Sequence, residues 1–332
     1  MQLIFTQGLD RFNAPAFYDS NGYTSIRIPG IIITDKGRMV CYYECRRGGD
    51  WSPIDVGMQI SDDGGKTWGA TRMIADGKGR NACNNPVMIA DGDTLFFLYC
   101  ENYKRLFICR SDDAGDHFSE PVELTGEIDR LMNGRFWSVL AVGPGHCIAL
   151  ADHTLFIPMW FGCSRSDMFS HHPSYIAVLC GKEKGSQWSL SHAIGENCLS
   201  DPSECCIALL PEDRLLLNIR NENTFRRRAV SIGNALDNTW GVPVFDDSLP
   251  DPVCMAGLCN CLDRLLFTNC ANSLSRTDLT LRVLQMDGKI LESLMISHRG
   301  GYSDVCFSES LNTACVVFEN GSGHIQTAIV SL

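Results

Sequence analysis

The chain has 332 residues, 45% of them apolar, and carries 28 Lys+Arg against 39 Asp+Glu for a net charge of −11. That apolar content excludes a disordered polymer, and the acidic balance excludes a partner such as nucleic acid, which needs clustered cations. No apolar run approaches the roughly 18 residues of a membrane span, and Met1–Gln7 has neither the basic nor the apolar stretch of a secretory signal.

Along the chain, Gly30–Ile33 reads as a first strand. The alternating run Val56–Ile60 then leads into Ser61-Asp62-Asp63-Gly64-Gly65-Lys66-Thr67-Trp68. An Asp followed by Gly offers a side-chain acceptor for nearby N–H groups and a residue free to take positive φ, as a hairpin turn requires. Next comes the strand Thr94–Cys100, then an eroded copy of the turn at Ser111–Phe118. Thr154–Trp160 reads as a strand, Gly181–Trp188 as a fainter copy, and Asn197–Ser203 as a long loop. Leu215–Ile219 precedes another copy, Ser231–Trp240, and Phe245–Pro252 reads as a second long loop. Leu265–Thr268 and Leu279–Leu284 lead to a last remnant at Asp287-Gly288-Lys289. From starts near 61, 111, 181, 233 and 284, the spacings are 50, 70, 52 and 51 residues. Short strands at such a period, with four strands to a unit and no amphipathic helical windows, predict an all-β, six-bladed β-propeller with Asp-box turns. Ala314–Glu319 is expected to share a blade with the N-terminal strand and close the ring. Without a Pro/Ser linker, residues 1–332 read as one domain.

Seventeen cysteines cannot all pair within the chain. Cys41, Cys100, Cys109 and Cys180 lie inside apolar strands, where a thiol acts as a small hydrophobe. No C-x2-C pairs of the zinc type occur, so neither a metal nor another cofactor is expected, and a reducing, cytoplasmic setting follows from the thiols.

The repeat is architecture and says little about chemistry. Three arginines say more. Arg27 in Ser25–Gly30, Arg220 after Leu215–Ile219 and Arg276 before Thr277 sit in or beside apolar strands, where a bare cation is costly. Converging at the starts or ends of inner strands, they would hold an anion, and a guanidinium fork suits a carboxylate.

In order and spacing these segments resemble the exo-α-sialidases (neuraminidases) over nearly the whole chain. The resemblance rests on Arg27-Ile28-Pro29, the box at 61–68, Gly143-Pro144-Gly145-His146, Glu204 with Leu217–Asn221, Arg276–Leu279 and Gly301-Tyr302-Ser303-Asp304. It implies retaining hydrolysis of terminal α-linked sialic acid on sialylated oligosaccharides or glycoconjugates. It also implies that Arg27, Arg220 and Arg276 grip the substrate carboxylate, Tyr302 is the nucleophile and Glu204 activates it. Asp50 resembles the acid/base, Asp55 a second acid of the same loop, Arg46 a contact near the sugar's 4-hydroxyl, and Glu319 the acid that orients Arg27. A neutral phenol suits a substrate whose anomeric carbon already bears a carboxylate, because an Asp or Glu nucleophile would approach a like charge. With an ordinary pKa of about 10, that phenol needs a base in hydrogen-bond reach.

Alternatives stand beside these residues. Arg220 competes with Arg226, Arg227 and Arg228, which read most simply as a solvated strand end. Arg276 competes with Arg282, a candidate partner for a box acid, and Asp50 competes with Asp55. His146, His171 and His172 read as structural or solvent-facing, and Trp68, Trp188 and Trp240 as turn packing. Asn85, in Asn84-Asn85-Pro86, stands where the family often has Asp-Pro against the N-acyl group, leaving the type of sialic acid open. Two other functions remain: a sialoside-binding propeller without turnover, and a trans-sialidase, for which Trp137 or Trp160 would supply the acceptor platform.

Overall fold

The computed structural model describes residues 12–13 and 22–332. Six sheets of four or five strands surround one axis. The first is Ser25–Ile33, Met39–Arg46, Ile54–Ser61 and Arg72–Ala75; the second is Cys83–Asp91, Thr94–Glu101, Arg105–Ser111 and Val122–Glu123. The third is built on Val139–Val142, Leu155–Gly162, Ser174–Lys182 and Gln187–Leu190. The fourth is built on Cys205–Leu210, Arg214–Ile219, Arg227–Asn234 and Thr239–Trp240. Gly257–Cys261, Arg264–Cys270, Thr277–Leu284 and Ile290–Arg299 form the fifth. Ser303–Ser308, Thr313–Glu319 and Ile325–Ser331 form the sixth, which Phe12–Asn13 completes by pairing Phe12 with Ala328. The two ends of the chain thus share a blade, and the architecture is the six-bladed propeller that the repeat predicts.

Second strands are packed on both faces by neighbouring blades, so they are apolar without alternation. All eight residues of Met39–Arg46 and of Leu155–Gly162 are buried. Fifteen of the seventeen cysteines are buried free thiols within this packing.

The Asp-box turns join the third and fourth strands. Ser61 Oγ donates to Asp63 Oδ1 (2.8 Å) and accepts from the Gly65 N–H (2.8 Å), while Thr67 N and Oγ1 donate to Asp63 (2.9 and 2.6 Å). Ser111, Asp113, Gly115 and His117 repeat the pattern. Gly64 and Gly65 take φ of +74° and +84°, where a side chain is strained. The bonds from Thr67 hold the Asp63 carboxyl down at about 2. Its stabilisation is therefore present above about pH 4 and lost as the pH falls towards 2. Asp63→Ala is expected to cost about 1 kcal/mol, as loss of a helix cap does, read as a lower urea midpoint at pH 7 and a smaller difference from wild type at pH 2.

Several expectations are corrected. The interval of 70 residues contains a helix, Thr125–Met132, with Ile128 and Met132 buried one turn apart. Eight residues with one such pair are too short for the helical period to stand out. The same interval holds an excursion in which Gly145–His146 pairs in parallel with Cys83–Asp91, before Ile148–Ala149 returns to its own blade. Phe245–Pro252 is not a loop: Val244–Pro250 is an edge strand on Arg227–Asn234, a place that tolerates its proline. Arg228 is not solvated either. It is fully buried against Asp251, Asn218 and the Cys254 carbonyl. Arg282 is also buried and donates to Asn269 Oδ1 (2.6 Å), not to a box acid.

Candidate active site

The loops between second and third strands open at one end of the propeller, around a cavity of about 180 Å³. Arg27, Arg46, Asp50, Asn85, Glu204, Arg220, Arg276 and Tyr302 all line it. Of the three arginines only Arg27 lies on an innermost strand. Arg220 follows a second strand and Arg276 precedes a third, so convergence comes from the loops as much as from the axis.

Two innermost strands deform in the same way at the cavity. In the first blade the register shifts between Arg27 and Gly30, with Ile28 at φ +55°; in the second it shifts between Asn84 and Val87, with Asn85 at φ +50°. Each residue precedes a proline, and left-handed backbone at a β-branched residue such as Ile28 is strained. Buried carboxylates hold both bends. Glu319 Oε1 accepts from the Ile28 N–H (3.1 Å), and Glu44 Oε1 accepts from the Asn85 N–H (2.7 Å).

Glu319 also accepts from Arg27 Nε and Nη2 (3.0 and 3.2 Å) and from the Tyr302 N–H (3.2 Å), joining three parts of the cavity. Gly301 makes room for it, since a Cβ there would lie 2.5 Å from Glu319 Oε2. Tyr302 is 6% exposed, with its ring against Ile28, Cys254, Met255 and Cys270. Its Oη donates to Glu204 Oε1 (2.6 Å) and accepts from Arg220 Nη1 (2.7 Å). Arg220 also bonds the other oxygen of Glu204. Burial, with the Glu204 charge, lifts the Tyr302 phenol well above its usual range against the pull of Arg220 and Arg276. The hydroxyl is therefore protonated at neutral pH, beside a carboxylate placed to take its proton.

The guanidinium carbons of Arg27, Arg220 and Arg276 lie 5.2, 6.0 and 5.3 Å from the Tyr302 ring centre. Arg276 donates to the Val253 carbonyl (3.0 Å), and the buried Nε of Arg220 has no partner among the described residues. Donors left unused around one hydroxyl are suited to a bound carboxylate.

Asp50 lies on the loop 47–53. Arg46 Nη1 holds its carboxylate (2.5 Å), and Asn84 Nδ2 holds its carbonyl (3.0 Å). Burial raises its pKa, but Arg46, His171 and Arg27 outweigh this and bring the carboxyl below its ordinary range. Asp55, the competing acid, does not line the cavity. It lies within the strand Ile54–Ser61 and accepts from Tyr23 Oη (2.5 Å), Arg47 Nη1 (2.7 Å) and the Gly77 N–H (2.8 Å). Its place in a substrate contact is therefore corrected to a structural one.

Of the far wall the sequence singles out only Trp160, as a candidate acceptor platform. Tyr103, Trp160 and His171 line it, with Tyr103–His171 and Trp160–His171 ring centres 5.0 and 5.1 Å apart. His171 is thus neither solvent-facing nor remote. Burial pushes its pKa below the usual value against Asp50 and Glu204, and its Nε2 is buried without a partner among the described residues. Tyr103 and His171 carry no mark in a single sequence, because the loop 163–173 that holds His171 and the turn that holds Tyr103 carry no repeat signal. Trp137 bonds Asp129 (3.0 Å) and is not among the residues lining the cavity. His146 is structural, its Nδ1 2.9 Å from Asp304.

Residues 37–311 match the family of BNR repeat-like domains. The chain is 25% identical over 354 residues to a sialidase of Bacteroides fragilis, covering 93% of this chain and 62% of that protein. It is 25% identical over 301 residues to an exo-alpha-sialidase of Arthroderma benhamiae, covering 79% and 67%. The solved structure of the Hadza microbial sialidase Hz136 superposes with a TM-score of 0.81 at 25% identity, over 94% of this chain and 66% of that one. The chain thus spans somewhat under two-thirds of the Bacteroides protein's length. With the match covering most of its length and the six-bladed fold around it, the chain belongs to the BNR repeat-like domain family, and sialidases are among its relatives.

Proposed function

We propose that the chain is an exo-α-sialidase that releases terminal α-linked sialic acid with retention. The observation that carries this reading is Tyr302, hydrogen-bonded to Glu204 and ringed by Arg27, Arg220 and Arg276. The substrate carboxylate is held by the three arginines. Tyr302 Oη attacks the anomeric carbon while Glu204 takes its proton, and Asp50 delivers a proton to the glycosidic oxygen as that bond breaks. Asp50, now ionised, then takes a proton from water. The water oxygen attacks the anomeric carbon, the bond to Tyr302 breaks, and Glu204 returns its proton to the phenol. Two inversions give net retention. No step calls for a metal or an organic cofactor. Asn85, which lines the same cavity as Arg46 and Asp50, is the contact for the sugar's N-acyl group or for a hydroxyl in its place.

The test is hydrolysis of 4-methylumbelliferyl α-sialoside, with the first-formed sugar followed by NMR. Release of the α-anomer is expected, and first release of the β-anomer would rule out the tyrosyl intermediate. Tight binding of the sialoside with no release would favour the alternative of a binding propeller. Because Arg46 holds Asp50 ionised, activity on sialosides with poor leaving groups is expected to rise as the pH falls. Arg46→Gln removes the neighbouring cation and should move the alkaline limb of the kcat/KM profile upward. An unmoved limb would separate Arg46 from the proton transfer.

A further inference from the structure

Beside the cavity mouth lies an apolar patch that the chemistry above does not use. Trp51 directly follows Asp50 and is 37% exposed; Phe169 and Met168, on the loop 163–173, are 64% and 45% exposed. The Trp51 ring lies 4.9 Å from Tyr103 beneath it and 5.1 Å from Phe169, edge-on at 85°. Tyr103 lines the cavity, so the patch is continuous with its wall.

This loop is tethered, not loose. Lys104 reaches across from the neighbouring blade, and its Nζ donates to the Met168 carbonyl (2.9 Å) and to that of Ser138. Within the loop, Asp167 N donates to Ser164 Oγ (3.0 Å), Phe169 N to Asp167 Oδ1 (2.9 Å) and Ser170 Oγ to the His172 carbonyl (2.7 Å). A segment held this closely, yet presenting a phenylalanine and a methionine to water, gains nothing for folding from their exposure. Contiguous exposed apolar surface beside a polar cavity marks a binding site.

We propose that Trp51 and Phe169, set in place by Lys104, form a stacking platform for the sugar ring that carries the sialic acid. The inference rests on the sialidase reading for its geometry. There, Asp50 must reach the glycosidic oxygen, so the ring on the far side of that oxygen lies beside the residue that follows Asp50. The apolar C–H face of a hexose covers an aromatic ring without stranding its hydroxyls, which remain in water at the open mouth. A small, polar leaving group would not touch the patch.

The experiment compares 3′-sialyllactose with methyl α-sialoside, which lacks that ring, in wild type, Trp51→Ala, Phe169→Ala and the double variant. For sialyllactose the double variant should raise KM about tenfold with kcat unchanged, while both parameters for the methyl glycoside stay within about twofold. Phe169→Ala, on a different loop from Asp50, should give part of this effect with the same selectivity. Equal losses on both substrates, or no loss on sialyllactose, overturn the platform. If the wild type hydrolyses neither, the sialidase reading fails, and saturation-transfer NMR with sialyllactose then tests the platform alone. Saturation of galactose protons that disappears in the double variant supports it. Saturation confined to the sialic acid, or none at all, overturns it.

Discussion

Tyr302→Phe is expected to lower sialoside hydrolysis by about 10³-fold or more, the scale on which loss of a nucleophile acts. The substitution removes one oxygen and keeps the ring that packs on Ile28, Cys254, Met255 and Cys270. It also keeps the ring faced by the three guanidinium groups. Glu204 retains its ion pair with Arg220 and is not left as a bare buried charge. Binding should therefore survive: the affinity for a dehydrated sialic acid analogue, measured by calorimetry, is expected to stay within a few-fold of wild type. Loss of turnover with retained binding separates a chemical role from a structural one. Wild-type hydrolysis by the variant would instead remove Tyr302 from the mechanism and leave the three arginines as a binding site alone.

The largest stability effect is expected away from the chemistry, at Asp251. Arg228 has no exposed surface, and its guanidinium donates to Asn218 Oδ1 (2.7 Å), the Cys254 carbonyl (2.7 Å) and Asp251 Oδ2 (3.1 Å). Asp251→Ala leaves that cation buried without its counter-charge, which costs about 3–5 kcal/mol. It also removes the acceptor for the Cys254 N–H (3.0 Å) beside the Val253 carbonyl on which Arg276 rests. Urea unfolding should show a lower midpoint with an unchanged slope. Adding Arg228→Met should restore much of the loss, because the uncompensated charge disappears with it. A midpoint that falls further in the double variant would mean that Arg228 acts through its hydrogen bonds and not through its charge.

Arg228 also illustrates how far residue type carries an argument. Within Arg226-Arg227-Arg228 the three side chains are chemically equivalent, and a solvated strand end is the simplest reading. Arg228 is buried where the strand's register slips between Arg227 and Ala229 against Val244–Pro250, so simple alternation does not foretell it, and Asp251, which pairs with it, lies on a chain segment 23 residues away. Asp50 and Asp55 are likewise equivalent as carboxylates. Which of them meets the cavity depends on where the strand Ile54–Ser61 begins, and Asp55 is already inside it. The aromatic wall was less legible still: Trp160 lies in the strand Leu155–Gly162, but Tyr103 and His171 come from connections in two blades that carry no recurring pattern. By contrast, the propeller was readable because its turns repeat the same local chemistry, Asp acceptor and glycine, at intervals near 50 residues, with one longer interval of 70.

Local chemistry is what the sequence by itself determines here: strands from apolar runs, hairpins from Asp and Gly, and therefore the number and order of the blades. It also displays the unusual cost of arginines beside apolar strands, from which an anion site is anticipated. Tertiary structure alone decides which charges face one another. Arg27 and Glu319 are 292 residues apart in sequence, and Tyr302 and Glu204 are 98 apart, yet each pair is within hydrogen-bond distance. Closing the ring creates those contacts, because it brings the first and last blades side by side and all six sets of loops around one opening. The physical reason is range: turn and strand preferences act over a few residues, whereas the energy of a buried charge depends on every group packed against it.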